Sequence, residues 1–438
     1  MQTIQEMLDE ARQLIEERRF AEARAILRKT EHPVAYEWLK RLDLIAPPVE
    51  PERIKTTTVR RIFYAISIIA LIIGVFGVAA RLTGGHRDAN YGSYVVWGLW
   101  VAMYLFFVGV AAGGFMLATL DYLFDLYLFK GTGKYALWVA LVSLAAGLLS
   151  IWFDLGHMER IWKVYLQGNP SSVMWQIVWG YTIFGIVLLA SLWLAWRNPN
   201  GRAMKTVMII GGALALFISG ASGALLGVQV ARPFWHAGLF PVQIPVFSLA
   251  SGVAALIVAI ALFGPTDDPR RPRLLRILAI SAIVLQGVKL YFLWAEFSQS
   301  TYGNIAANEQ AIREVLFGQY WWGFWILQLG LGSLIPIIIL AQPRFAQRAY
   351  WAGAMGVLML VGFAVTRANI VFPALTVPEL EALTTAFSHR HLQFEYFPSL
   401  MEWAVAAGTV GLATLGFLIG CDFVLPSIPE PDLEVSHA

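Results

Sequence analysis

Charge is scarce in this 438-residue sequence. Asp, Glu, Lys and Arg together make up 14% of it, against roughly 25% in a soluble globular protein. Cysteine is almost missing. Cys421 stands alone, which excludes an internal disulfide and any iron–sulfur cluster needing four thiolates, so Cys421 reads as a small buried apolar side chain. There is no Walker motif and no glycine-rich dinucleotide fingerprint. No basic run marks a nucleic-acid partner, and the net charge of +3 bears mainly on topology. The first residues are charged and amphipathic, without the apolar stretch of a cleavable signal peptide. The histidines are His32, His86, His157, His236, His389, His391 and His437. None falls in the middle of a hydrophobic block, so the axial pair of a transmembrane b-type haem is lacking.

What the sequence has in abundance is apolar surface, at 58% of residues. It is gathered in blocks of about 20, the length a helix needs to cross a bilayer. The blocks run over 62–81, 94–120, 135–153, 174–196, 206–228, 239–263, 274–297, 321–341, 349–373 and 399–424. The expected fold is all-α, a polytopic integral membrane bundle of about ten helices preceded by a short soluble helical segment. Residues 1–50 form that segment, with the Pro47-Pro48 to Pro51 stretch leading into a linker over 51–61, then 62–424 the membrane domain and 425–438 a tail. Within the segment, MLDEARQLIEE and FAEARAILRK read as two amphipathic helices joined at Arg18-Arg19. A single helical hairpin cannot bury its own apolar face, so it should pack on the chain's own loops or on a partner.

Short loops set the orientation. Lys130 and Lys134, Arg197, Arg202 and Lys205, Arg270, Arg271, Arg273 and Arg276, and Arg344 and Arg348 fall on one side, joined by Arg53, Lys55, Arg60 and Arg61. The excess of Lys and Arg places that side, and both termini, in the cytoplasm, with the protein in the cytoplasmic membrane. The opposite loops are longer. Loop 154–173 reads DLGHMERIWKVYLQGNPSS, loop 298–320 holds a helix NEQAIREVLFG, and loop 374–398 holds PELEALTTAF. Loops of this length tend to cover a site or receive a partner. The small-residue runs VGVAAGGF (108–115) and GASGALLG (220–227) read as close helix packing.

Ionisable groups inside spans need a reason, because each costs at least a few kcal/mol. Asp154, His157 and Arg160 are spaced one turn apart at the outer end of the third span. Lys289 and Glu296 share a face of the seventh span and are candidates for a proton path. Arg367 and Asn369 lie on the ninth span, Glu402 one turn into the tenth, and Arg232 after the fifth. Such a cluster reads either as ion pairs between helices, such as Arg367 with Glu402, or as a polar pocket for a small head group that exchanges protons.

The motifs carry a resemblance. DLGHMERIWKVYLQGNPSSVMW (154–175) resembles the signature of the polysulfide reductase membrane-subunit family, the NrfD type. GLWVAMYLFFVGVAAGGF (98–115), RANIVFPAL (367–375) and YFPSLMEW (396–403) are similar to its early and last spans, in the right order over about 60–425. The resemblance implies a membrane subunit of a multi-subunit respiratory oxidoreductase, not catalytic alone, that oxidises or reduces a quinone near the outer face. It implies electron exchange with a docked four-cluster iron–sulfur protein, serving a molybdopterin oxidoreductase or a multihaem cytochrome. Carried over by motif, Asp154, His157, Arg160, Arg367 and Glu402 form or border the quinone pocket, with Arg232 beside it. The chain departs from the pattern in its N-terminal helices, in two added spans, and in lacking the His that ten-span subunits of alternative complex III carry in an early span.

The residue chemistry fits that implication. Quinol oxidation releases two protons, and a carboxylate hydrogen-bonded to an imidazole, Asp154 with His157, would take them. Arg160 or Arg367 would donate to the other oxygen, and Trp97, Tyr104, Trp152 and Trp162 would wall the ring. Quinone is the expected cofactor, as substrate, with no haem and no iron–sulfur cluster in this chain. Two other classes stay open. A secondary transporter predicts broken helices, inverted repeats and polar groups near the midplane, and a plain membrane anchor predicts no chemistry.

Overall fold

A backbone crossing hydrocarbon must satisfy its own N–H and C=O groups, which a helix does within one segment. In the computed structural model, which describes residues 4–17, 19–30, 32–45, 56–266 and 268–428, every apolar block is such a helix. Ten are long and apolar enough to cross a membrane: Thr58–Gly84, Leu99–Tyr122, Gly133–Asp154, Val173–Arg197, Arg202–Gly227, Phe240–Phe263, Arg271–Tyr302, Gly323–Ala341, Ala349–Thr376 and Leu400–Ser427. No strand occurs among the described residues. The chain is an all-α integral membrane protein.

The second and sixth spans form the centre. In each, 89% of the most apolar window is buried within the protein, against 17% for the first span. Small residues make the central crossing possible. A Cβ on Gly113 would sit 2.0 Å from the Ser248 carbonyl oxygen, and one on Gly223 would sit 2.2 Å from that of Phe240. Both glycines lie in the small-residue runs noted above, so close approach is their role. The sixth, eighth and tenth spans each contain a π-helical stretch, at Ala259–Phe263, Gly323–Leu334 and Gly420–Val424.

The N-terminal segment holds three helices rather than two, Ile4–Glu16, Phe20–Lys29 and Pro33–Ile45. They share a small core of Leu8, Ala11, Leu14, Ala23, Leu27, Ala35 and Leu42. This segment packs on the chain's own loops. The Tyr127 hydroxyl donates to Glu22 Oε2 at 2.8 Å, Arg19 lies 4.7 Å over the Tyr127 ring, and Arg270 Nη1 donates to the Tyr127 carbonyl at 3.1 Å. Residues 56–61, expected as linker, begin the first long helix, Thr56–Gly84. The rest of the linker, Arg18 of the helix junction, Arg53 and Lys55 of the basic flank, and the tail beyond residue 428 lie outside the described residues.

The opposite face carries the longer loops and is called here the loop-rich face. Loop 303–322 contains the expected helix, at Ala306–Leu316. The helix expected in PELEALTTAF is only the single turn Leu383–Ala386. Loop 155–172 folds into the short helices Met158–Arg160 and Trp162–Gln167.

Candidate functional site

The site is built where three helix ends meet on the loop-rich face. The first span stops at Gly84, and Gly85 takes φ +65, a left-handed turn that suits glycine. The turn sends residues 86–98 back across the bundle. The tenth span starts at Ser399 with a reciprocal cap. Ser399 Oγ accepts from the Glu402 amide at 3.3 Å, and Glu402 Oε2 accepts from the Ser399 amide at 2.9 Å. The same Oε2 accepts from the Asn90 amide at 2.9 Å, while Oε1 accepts from the Tyr396 hydroxyl. The Leu99 amide donates to that hydroxyl at 2.7 Å. Glu402 is therefore wholly buried and its oxygens hold the 86–98 loop to the tenth span.

Arg81 closes the third span. It is buried, and it donates to the carbonyls of Phe153 at 2.9 Å and Leu155 at 2.6 Å, which a helix C-terminus leaves free. Its guanidinium lies 6.0 Å over the Trp100 ring. Trp100 in turn donates to the Glu402 carbonyl at 3.0 Å.

Three buried polar atoms from different segments face this frame without a hydrogen bond: Asp154 Oδ1, the Tyr91 hydroxyl and His86 Nε2. They are neighbours. The Tyr91 ring stands edge-on to His86 at 5.3 Å and to Trp100 at 5.9 Å. The Tyr91 hydroxyl lies within electrostatic reach of the Asp154 carboxylate, as does Glu402, but Tyr91 and Asp154 complete no hydrogen bond. Burial, and then the charge of Arg81, pushes His86 down to about 4, so the imidazole is neutral at ordinary pH. Burial, and then the Asp154 charge, pushes the Tyr91 phenol well up. Tyr396 is pushed up by burial and then by Glu402. A carboxylate, a neutral imidazole and a phenol that keeps its proton thus lie beside one another. Buried polar atoms left unpaired are rare and costly, and a ligand with oxygen atoms at matching positions would satisfy them.

The structure redraws the sequence-based site around Asp154. The helix ends at Asp154, and Leu155 is extended at ψ 130. His157 therefore does not continue the face of Asp154 and is not hydrogen-bonded to it. His157 is 64% exposed and contacts Glu159 at 3.0 Å, and Arg160, also exposed, approaches the same carboxylate at 3.5 Å. Trp152 is partly exposed and donates to the Met158 carbonyl at 3.3 Å, and Trp162 is exposed. Arg367 and Glu402 do not pair. Arg367 is buried 5.6 Å over the Phe247 ring, with Nη1 unpartnered. Arg232 ties the outer loops together through the carbonyls of Val377 at 3.1 Å and Tyr94 at 3.4 Å and through Glu379 at 3.1 Å. Trp97 stacks on Trp235 at 5.2 Å. Tyr104 is buried and donates to Tyr181 at 2.9 Å, which contacts Ser222 at 2.8 Å. Lys289 and Glu296 are buried elsewhere, on the seventh span.

Of the residues singled out from sequence, this buried polar cluster contains Asp154 and Glu402. It adds Arg81, His86, Tyr91, Trp100 and Tyr396, which sequence reasoning missed. The Ser399-x-x-Glu402 spacing was a readable cap signal. Nothing local marks Tyr91, whose carboxylate neighbour Asp154 lies 63 residues away.

This arrangement can be set beside known proteins. Residues 88–379 match the family model described as polysulphide reductase, NrfD. A selenate reductase subunit of Mesobacillus selenatarsenatis is 29% identical over 417 residues, covering 86% of this chain and 97% of that protein. The Hdr-like menaquinol oxidoreductase integral membrane subunit of Archaeoglobus fulgidus is 24% identical over 384 residues, covering 85% and 95%. A polysulfide reductase chain of Wolinella succinogenes is 24% identical over 265 residues, covering 56% and 83%. The matched region holds Tyr91, Trp100 and Asp154 and the second to ninth spans in full, and on that extent of likeness the chain belongs to the NrfD polysulphide reductase family.

Proposed function

We propose that this chain is the quinone-reactive membrane subunit of a respiratory oxidoreductase complex, and that the buried polar cluster of His86, Tyr91, Trp100 and Asp154 binds the quinone head group. The observation that carries this is that three buried polar atoms of neighbouring residues at a helix end, Asp154 Oδ1, the Tyr91 hydroxyl and His86 Nε2, complete no hydrogen bond. The names of the relatives agree, since they are subunits of reductases and of a menaquinol oxidoreductase. When bound, a quinol supplies two electrons and two protons. Asp154 Oδ1 takes a proton at its own position, as a general base must lie within hydrogen-bond reach of the proton it removes. Neutral His86 accepts the second proton at Nε2 and returns it when the reaction runs the other way, and the Tyr91 phenol donates to an oxygen. Trp100, fixed by its bond to the Glu402 carbonyl, offers a flat wall. Glu402 and Tyr396 position the loop and do not touch the ligand. The loop-rich face is the outer face in this reading, the termini are cytoplasmic, and the electrons pass to a four-cluster iron–sulfur protein docked there, itself serving a molybdopterin or multihaem partner.

The test is quinol-linked turnover of the assembled complex. Asp154→Asn and Tyr91→Phe should each lower it by roughly 10²-fold, the scale for a general base or its partner, with assembly intact by size exclusion. His157→Ala should leave turnover unchanged. Full turnover in both pocket variants would end the quinone-site assignment.

A further inference from the structure

The buried face of the seventh span changes character along its length. Leu274, Leu275, Leu278, Ala279 and Ala282 fill the half near Arg271, whereas Gln286, Lys289, Glu296 and Ser300 fill the half near Tyr302, with Leu293 among them. At the Tyr302 end this polar stripe opens on a cavity of about 130 Å³ that Glu296 lines together with His236, Gln243, Ser300 and Asn308. That is room for several ordered waters. Two buried acceptors in its wall, Gln243 Oε1 and Asn308 Oδ1, have no donor, and waters would supply one. Gln243 Nε2 donates to Glu296 Oε2 at 3.3 Å.

Deeper in, Lys289 has no exposed surface. It lies 13 residues from the Tyr302 end, about 20 Å at 1.5 Å per residue, near the middle of the span. Lys289 Nζ donates to Ser333 Oγ at 2.8 Å, and Ser333 Oγ donates to the Gln328 carbonyl at 2.8 Å. Asn369 Nδ2 donates to Gln328 Oε1 at 2.7 Å. Ser333 and Gln328 sit in the π-helical stretch Gly323–Leu334, a distortion frequent at functional positions. Among the described residues, no carboxylate lies within ion-pair distance of Lys289. The ionisable groups around the track are His236 at the cavity, Glu296, Lys289, and Arg367 within electrostatic reach of Lys289.

We propose that this is a one-sided proton track, a water port on the loop-rich face leading through Glu296 to Lys289 and ending there. Glu296 takes a proton from cavity water and passes it inward over two helical turns, about 10 Å, along transient waters beside Leu293, to the Lys289 amine. Return runs by the same path. No covalent bond other than O–H and N–H is made or broken, and no electron moves. The apolar half of the stripe, from Ala282 to Leu274, closes the way to the other face. Intramembrane ionisable groups mark proton relays in this manner. The proposal does not rest on the quinone reading.

The test uses the full complex in a Cys421→Ser background, with single cysteines at Ser300, Glu296, Ala282 and Leu278. A membrane-impermeant methanethiosulfonate is added only to the face bearing Tyr302. Only a thiolate reacts, and a thiol ionises where water reaches it, so positions 300 and 296 should label at least about tenfold faster than 282 and 278. Inert 300 and 296 would overturn the port, and equal labelling along the helix would overturn its one-sidedness. Infrared difference spectra across a pH step should show a protonated-carboxyl band that Glu296→Gln removes and Asp154→Asn keeps. An unaltered band in Glu296→Gln overturns the relay, and unaltered proton uptake in Lys289→Met overturns its terminus. Quinol turnover enters none of these readouts, so they stand or fall apart from the quinone site.

Discussion

Replacing Glu402 by Gln separates a positioning role from contact with substrate. The carboxylate accepts three hydrogen bonds, from the Asn90 and Ser399 amides and the Tyr396 hydroxyl, in a fully buried setting. Bonds to a charged group contribute about 1.5–3 kcal/mol each. A Gln carbonyl can keep the two amides, as neutral bonds of about half the strength. Its amide nitrogen would then face a hydroxyl that already accepts from the Leu99 amide, leaving the Tyr396 proton without an acceptor. Together these losses come to about 2–4 kcal/mol. Tyr396→Phe removes the third bond from the other side, so the double variant should show a coupling of about 1.5–3 kcal/mol with Glu402→Gln. Unfolding rates of the purified complex in detergent measure this, since membrane complexes commonly unfold irreversibly. Turnover per assembled complex should fall by much less than in Asp154→Asn. Wild-type stability in Glu402→Gln with turnover lost about 10²-fold would refute the reasoning and make Glu402 a ligand contact.

Topology is checked by impermeant cysteine labelling, in which Asn169 and Ser388 should react from outside the cell and Gly131 and Asn200 should not; the reverse pattern inverts the orientation. His86 links stability to pH. Its folded value is about 4 and the ordinary one about 6.5, so the unfolded chain binds a proton there that the folded chain refuses. Stability from this group is full above about 6.5 and declines as pH falls toward 4. His86→Gln should flatten that acid limb, and identical limbs in the two proteins would count against a buried neutral His86. The isolated chain should show neither haem absorption nor an iron–sulfur EPR signal, because one cysteine and no mid-span histidine supply no ligand set; stoichiometric iron would contradict this.

Elements that depend on local composition are legible in the chain alone. Blocks of apolar residues become spans because hydrocarbon leaves the backbone only itself to bond with, and the ten helices begin and end within a few residues of the blocks. The glycine runs foretold close crossings, and Asp154, Lys289 and Glu296 stood out because charge in a span is expensive. The third N-terminal helix was missed because its pattern is weakly amphipathic beside the Pro-rich stretch that follows. The pairing of polar groups was decided by tertiary structure. Helical spacing extended past Asp154 put His157 and Arg160 on its face, but the helix stops there with Leu155 extended, and Arg81 from the first span satisfies the carbonyls of Phe153 and Leu155. Depth similarity suggested Arg367 with Glu402, but Glu402 is claimed by its own helix cap and by a loop more than 300 residues earlier. Tyr91 and His86 lie in an unremarkable loop whose fold-back over Asp154 depends on contacts between the first, third and tenth spans. A hydrogen bond needs direction and distance to a few tenths of an ångström, and no periodicity in the chain carries that information.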